Sequence, residues 1–400
     1  MKEKWVERFL LIAIFLLPWQ TRWIFSSPII EGQVSQYGVL SVYATEFIIL
    51  LVIFLRGRWQ PIERMKRVIQ AGYFLLGAVF FSLAFTSFFQ IGIAQVLHLI
   101  FAFALFTLLC DVRTKIKPVV AAFVAGLIAP AFFGFWQVTA DFSPASSWLG
   151  MSAQDAKIAG TAVVETESVR ILRAYGTFPH PNIFGGFLAV GLVCLAWLTR
   201  FVKTKFQLQL IFIPVLILVF TLVITFSRGA WIALATGFIL LSCLMIVRRR
   251  LIPLHVIYIV VAGLISLFAA SVVFYPQILS RFEPSLRIEK ISIEERVSQY
   301  SWFDDVFKHN PLFGVGPGAY TFALQVIDPE KEVWAYQPIH NIFLLSKQAG
   351  GMLGLTLGVV LIMLGLFDHY LWSLWPGLSL GVVGISFIIQ WSGSTLLDKK

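Results

Sequence analysis

Residues 275–341 read YPQILSRFEPSLRIEKISIEERVSQYSWFDDVFKHNPLFGVGPGAYTFALQVIDPEKEVWAYQPIHN, the longest polar interval in a chain otherwise built of apolar runs. A connection of this length is functional or disordered, and its local signals favour a folded one. Ser292-Ile293-Glu294-Glu295 has the S-x-x-E form of a capping box. A helix started there runs to about His309, because Pro311 cannot continue it. Ile293, Val297, Tyr300, Phe303 and Phe307 then share one face at three- and four-residue spacing, so the helix has a side to pack. Pro311-Leu312-Phe313-Gly314-Val315-Gly316-Pro317-Gly318 follows, with glycines suited to tight turns or close backbone approach. It lacks the Lys-Ser or Lys-Thr of a phosphate loop and reads as turn architecture rather than a phosphate nest. The interval closes on Pro338-Ile339-His340-Asn341 and passes straight into an apolar run, which sets His340 at a membrane edge.

The surrounding composition fixes the class. Of 400 residues, 58% are hydrophobic and 13% charged, with a mean hydropathy of +0.83; soluble domains carry about 25% charged residues. The expectation is an all-α polytopic membrane protein. Apolar runs at 9–25, 38–55, 72–88, 91–110, 118–138, 182–199, 208–226, 229–247, 253–275, 342–367 and 371–391 each approach the ~20 residues that cross ~30 Å of hydrocarbon. The first run follows a short charged start but has no small-residue cleavage site and is followed by further spans. It therefore reads as a transmembrane helix broken near Pro18, not a secretory signal. Residues 1–275 thus hold helices one to nine with an outer loop at about 139–181, residues 276–341 a large, partly helical external loop before the penultimate span, and residues 342–400 the last helices.

Charge predicts the orientation. Lys2, Lys4 and Arg8 precede the first span; Arg56, Arg58, Arg64, Lys66 and Arg67 follow the second; Arg113, Lys115 and Lys117 follow the fourth. Arg200, Lys203 and Lys205 follow the sixth, and Arg248-Arg249-Arg250 the eighth. Every second connection is basic, which is the positive-inside pattern, so the amino terminus is expected in the cytoplasm and both long loops outside. The formal charge of +10 and pI of 9.6 are spread over these short connections; they are topology signals, not a nucleic-acid surface. Cys110, Cys194 and Cys243 lie in or beside helices with no metal-ligand or disulfide spacing, and packing is their expected role.

Chemistry must then come from polar groups at the outer face. Arg173-Ala174-Tyr175-Gly176-Thr177-Phe178-Pro179-His180-Pro181-Asn182 enters the sixth span. Its prolines fix the backbone around His180, and Asn182 is placed to cap the following helix. The stretch is either a rigid loop-to-helix junction or a site in which Arg173 grips an anion. Thr225-Phe226-Ser227-Arg228-Gly229-Ala230-Trp231 joins spans seven and eight. An arginine here faces a cavity or a partner, or snorkels to the interface. Arg296 lies one turn inside the capped helix, on a solvated face or in a site, and His340 is either structural or catalytic. His98, His255 and His369 have no motif neighbours and read as packing or interfacial residues.

Arg173-x-x-Gly176-Thr177-Phe178 with His180-Pro181-Asn182, then Ser227-Arg228-Gly229, then Arg296 ahead of Trp302 and the run 311–318, then His340-Asn341, occur in one order. That order, with a large external loop between two late spans, resembles the bacterial O-antigen ligase and O-antigen polymerase superfamily across most of 173–354. The resemblance implies a membrane glycosyltransferase that uses neither metal nor other cofactor and lies in the bacterial inner membrane. Such enzymes take a glycan from undecaprenyl diphosphate at the outer face and attach it to a glycan or glycolipid acceptor. In the ligases that acceptor is a sugar of lipid A-core; in the polymerases it is another lipid-linked repeat. By motif, Arg228 and Arg296 become donor-diphosphate residues, with Arg173 beside them; His340 becomes the general base, and His180, Asn182 and Asn341 substrate-binding candidates. The ligases commonly carry a further helix after the segment that ends here at Trp391, which makes the expected count eleven, or twelve with that helix. An exopolysaccharide polymerase, a protein O-glycosyltransferase and a non-catalytic carrier of lipid-linked glycans remain as alternatives. A carrier should show pseudo-symmetric halves with interrupted helices at the midplane, whereas the polar residues here cluster at the outer face.

Overall fold

The computed structural model describes residues 2–30, 33–35, 38–247, 254–283 and 315–329, with 287, 289–291, 294, 298, 302, 336, 379–380 and 382–384. Arg296, His340 and Asn341, residues 311–314, and most of the runs at 342–367 and 371–391 lie outside the described residues. Of the helix expected after Ser292, only Glu294, Ser298 and Trp302 are described, each helical.

The first two apolar runs depart from expectation. Helix α1 (Lys2–Leu16) stops before Pro18, and Arg22–Ser26 forms a strand, β1. Ile29–Ile30 (β2) pairs with Gln33–Val34 (β3), and β1 pairs antiparallel with Leu40–Tyr43 (β4), which leads into α2 (Ala44–Arg56). Pro18 cannot extend a helix, and Trp23-Ile24-Phe25 suits a strand as well as a span; a short apolar run does not distinguish them. The third run is shifted too, because α3 occupies Lys66–Ser82 rather than 72–88.

From there hydropathy and structure agree closely. Helices α4 (Phe89–Leu109), α5 (Ile116–Ala140), α6 (Pro181–Leu198), α7 (Lys205–Ile224), α8 (Arg228–Val247) and α9 (Leu254–Val273) follow the expected runs. Among the described residues five helices, α4, α5, α6, α7 and α9, are long and apolar enough to cross a membrane. The polar interval opens with a short helix, α10 (Tyr275–Ser280), and later carries α11 (Tyr320–Ile327). The loop between α5 and α6 is also not helical. It holds two small hairpins, Phe142–Ser143 (β5) with Gln154–Asp155 (β6), and Val163–Glu165 (β7) with Arg170–Leu172 (β8).

Helix α6 is the centre of the bundle. It is apolar on every side and buried almost throughout, as such a helix must be, and it packs against α5, α7 and α8. Two glycines let neighbours close in: a Cβ on Gly191 would lie 2.5 Å from Leu127 Cδ1, and one on Gly185 2.9 Å from Ala230 Cβ. The sides of the bundle are apolar as well. Phe54 is 80% exposed, Phe74 81% and Phe268 71%, a surface suited to lipid rather than water.

The two ends differ. At one, Arg113 pairs with Glu3 at 3.0 Å, Lys115 with Glu7 at 3.2 Å and Arg56 with Asp111 at 3.2 Å, while Lys117 lies 4.8 Å from the Phe201 ring centroid. The start of α1, the end of α2, the α4–α5 connection and the end of α6 therefore meet. Asp111 is fully buried there. Burial opposes its ionisation, but hydrogen bonds from the Arg113 side chain and the Arg113 and Gln60 backbone N–H groups, with the charge of Arg56, hold it below the ordinary carboxylate value. At the other end the α5–α6 loop packs on the end of α5 and reaches the end of α7, where Ala174 N–H donates to Ile224 O at 3.1 Å.

Candidate functional site

The site end is built around a break in the backbone. Helix α7 stops at Ile224 and α8 starts at Arg228, with Phe226 between them at φ +48°. A side chain at positive φ costs about 1–3 kcal/mol and persists only where its surroundings determine it. Here they do: the Phe226 ring is fully buried and meets Phe274 edge-on at 6.1 Å. Thr225 and Ser227 serve the two cut ends. The Thr225 hydroxyl donates to Leu222 O at 2.7 Å and accepts from Ser227 N–H at 3.3 Å, and Ser227 Oγ accepts from Ala230 N–H at 3.4 Å. Trp231 Nε1 donates to Leu222 O at 2.9 Å, tying the first turn of α8 to the last of α7.

The break frees carbonyl groups, and arginines take them. Arg173 Nε donates to Thr225 O at 2.8 Å, and Arg281 Nε to Phe226 O at 3.2 Å. Arg228 Nη1 in turn donates to Arg281 O at 2.9 Å. Three guanidinium groups are thus fixed by main-chain carbonyls, two at the break itself and the third, for Arg228, at Arg281. Arg173 and Arg281 are buried, whereas the Arg228 side chain is 26% exposed and opens the cluster outward. Glu289 faces two of them: one oxygen pairs with Arg281 Nη1, and the other lies 3.0 Å from Arg228 Nη2.

Arg173, His180 and Asn182 come together at the start of α6. Arg173 Nη2 donates to Asn182 Oδ1 at 2.7 Å, and His180 Nδ1 accepts from Asn182 N–H at 3.1 Å. The cap of α6 is therefore His180, with Pro181 in the first turn; Asn182, the expected cap, instead turns its side chain to Arg173. Neighbouring Tyr175 is buried, and burial pushes its phenol up to about 12 against the opposing pull of the Ala162 N–H and Arg173.

A single side chain from α5 sets the loop that carries Arg173 and His180. Gln137 is fully buried, donates to Gly176 O at 2.8 Å and Ser143 Oγ at 3.0 Å, and accepts from Gly176 N–H at 2.7 Å and Tyr175 N–H at 3.1 Å. Gly176 sits at φ +59°, and a Cβ there would lie 2.9 Å from the Phe184 ring and 3.0 Å from Pro130 O. Thr177 Oγ1 donates to Pro18 O at 2.5 Å, fastening the loop to the end of α1. Farther out, Glu165 on β7 pairs with Arg287 at 2.8 Å, which joins the α5–α6 loop to the segment after α10.

Nothing in the sequence order pointed to Gln137, Arg281 or Glu289. Each lies outside any motif, and its partners lie from 6 residues away, Gln137 to Ser143, to 61, Glu289 to Arg228. His98 likewise acquires a partner: its Nδ1 is 2.6 Å from Glu46 Oε1, joining the middle of α4 to the start of α2. The second half of the 311–318 run is turn architecture, as expected. Gly316 and Gly318 have φ of +99° and +72°, and Thr86 donates to Val315 O at 2.6 Å.

Residues 213–345 match the family model described as O-antigen ligase. The matched segment includes the break, Arg228, Arg281 and Glu289, together with Arg296, His340 and Asn341. Arg173, His180 and Asn182 precede it. No curated protein and no solved structure matches the chain.

Proposed function

We propose that the chain, whose residues 213–345 match the family model described as O-antigen ligase, is a membrane glycosyltransferase that moves a glycan from undecaprenyl diphosphate to an acceptor sugar. The observation that carries this reading is the gathering of Arg173, Arg228 and Arg281 around one backbone break at one end of the bundle. A diphosphate leaving group gains charge as the glycosidic bond breaks. Arginine meets it with a permanent cation and paired N–H donors matched to phosphate oxygens.

In this mechanism Arg228 and Arg296 hold the donor diphosphate, with Arg173 beside them. His340 takes the proton of the acceptor hydroxyl, whose oxygen attacks the anomeric carbon. The carbon–oxygen bond to the diphosphate breaks, undecaprenyl diphosphate leaves with the bonding pair, and the anomeric centre inverts. A neutral imidazole, with an ordinary pKa near ~6.5, suits that proton transfer at outer-face pH. His180, Asn182 and Asn341 contribute to sugar or diphosphate contacts. The reaction runs at the outer face of the inner membrane, with the amino terminus in the cytoplasm. That orientation rests on the basic connections, Arg113 being cytoplasmic and Lys157 external.

Purified protein in proteoliposomes, given one undecaprenyl-diphosphate-linked glycan and either lipid A-core or a second lipid-linked repeat, tests the reading. Transfer to lipid A-core is the expected result. Transfer only to the second donor makes the chain a polymerase, and movement of intact donor across the bilayer without transfer replaces the enzyme with a carrier.

A further inference from the structure

We propose that Arg281 and Arg228 form an anion seat that the Glu289 carboxylate fills in the unloaded protein, and that a diphosphate enters by displacing Glu289. The proposal rests on the reading of Arg228 as a donor-diphosphate residue and adds Arg281 as a second binding residue, with Glu289 as its internal competitor.

The geometry is that of a bridged anion. Each guanidinium spends one N–H on a main-chain carbonyl, Arg281 on Phe226 O and Arg228 on Arg281 O, so both are held still before any ligand arrives. Their remaining edges converge on the two oxygens of one carboxylate, one oxygen to each arginine. Two facts mark Glu289 as a substitute rather than the best-fitting occupant. Oε2, although 3.0 Å from Arg228 Nη2, is buried and not aligned for a hydrogen bond. A buried charge that lacks its hydrogen bonds is costly. The short span of a carboxylate hydrogen-bonds one guanidinium and only ion-pairs with the other, whereas the oxygens of a diphosphate are spread more widely. Charge points the same way: Glu289 brings one negative charge to two arginines, and a diphosphate brings more.

Release is also feasible where Glu289 stands. It lies nine residues beyond the end of α10, two residues after Arg287, whose pairing with Glu165 is largely exposed. An exposed pair contributes little, so the segment is not anchored strongly on that side. Arg228, a quarter exposed, offers the route by which an outside anion reaches the pair. With Glu289 in place the seat is closed to weak anions; a polyvalent one competes by engaging both guanidinium groups at once.

Inorganic pyrophosphate binding to the full-length protein in detergent, measured by titration calorimetry, tests the exchange. Glu289→Gln should bind pyrophosphate at least about tenfold tighter than the wild type, since the charged competitor is gone. Arg281→Gln should lose most of the binding in either background. In the wild type, saturating pyrophosphate should speed hydrogen–deuterium exchange across residues 287–291 as Glu289 is set free, a readout that needs no variant. Binding in Glu289→Gln that is no tighter than wild type, or slower exchange across 287–291 with pyrophosphate bound, overturns the exchange. Glycan transfer separates the two claims. Transfer with no gain in Glu289→Gln leaves the enzyme reading standing and removes the exchange; a gain without transfer in any form does the reverse.

Discussion

Replacing Gln137 with Leu should detach the loop that carries Arg173 and His180 while leaving the helices packed. The side chain is close in size and fits an apolar helix, so the change is essentially the loss of four hydrogen bonds to nitrogen and oxygen groups, with a longer one to Met151 Sδ at 3.8 Å. Those bonds serve Tyr175 N–H, Gly176 N–H, Gly176 O and Ser143 Oγ. Three of these are main-chain groups in a buried stretch, and a buried polar group left without a partner costs about 1–3 kcal/mol. Hydrogen bonds between transmembrane helices average nearer ~0.6 kcal/mol because the alternative state also finds partners. Taking about 0.7 kcal/mol for each of the three main-chain groups gives about 2 kcal/mol of local destabilisation. Local opening should then rise about 30-fold. Hydrogen–deuterium exchange of the peptide covering 173–180 is the assay, with α7 and α9 peptides as internal references. Gln137→Glu keeps an acceptor for the two N–H groups and should fall between wild type and Leu. Unchanged exchange at 173–180 in Gln137→Leu, or equal acceleration in α7 and α9, would refute the latch.

Asp111→Asn should destabilise the opposite end by about 3–5 kcal/mol, because it leaves the buried Arg56 without its carboxylate; a melting temperature equal to wild type would contradict this. The folded-state pKa of Asp111 lies below its unfolded value, so its contribution is fully present above about pH 4–5 and is lost as pH falls through the folded value. Acid melts should show that loss in the wild type and not in Asp111→Asn. Arg228→Lys and Arg296→Lys should each lose most transfer activity, since lysine keeps the charge but not the paired donors; full activity in both would remove the bidentate grip. His340→Ala should lower turnover by about 10²- to 10⁴-fold with donor binding retained, and wild-type activity should fall with acidification through about pH 6.5 and be indifferent to chelator. Wild-type turnover in that variant, or loss of activity with chelator and with Asp304→Asn or Asp305→Asn, would move the base to a carboxylate.

Long apolar helices were legible because a span must satisfy its own main chain and shed nearly all charge. The boundaries of α4 to α9 accordingly fall within a few residues of the hydropathy runs. The start of the chain was not legible for the same reason. Trp23-Ile24-Phe25 is as apolar as a span, and only its pairing with residues 40–43 makes it a strand. At the site, the sequence singled out Arg173, Asn182 and Arg228 by their neighbours. It did not show that the break at Phe226 supplies the carbonyls that fix Arg173 and Arg281, because a positive φ at a phenylalanine leaves no mark in composition. Arg281 and Glu289 escaped notice because residues eight apart do not show the three- or four-residue spacing by which a helix face reads in sequence. Gln137 escaped because one amide in a long apolar helix looks like an ordinary interruption.

On the proposed function, the arginine-lined break between α7 and α8 seats a lipid diphosphate. A photoreactive undecaprenyl diphosphate analogue, crosslinked to the protein in a bilayer and mapped by peptide mass spectrometry, tests it most directly. Labelling is expected in the peptides that contain residues 225–231 and 275–283, competed by unlabelled undecaprenyl diphosphate and weakened in Arg228→Lys. Competed labelling confined to the opposite end, around Arg56 and Arg113, would contradict it.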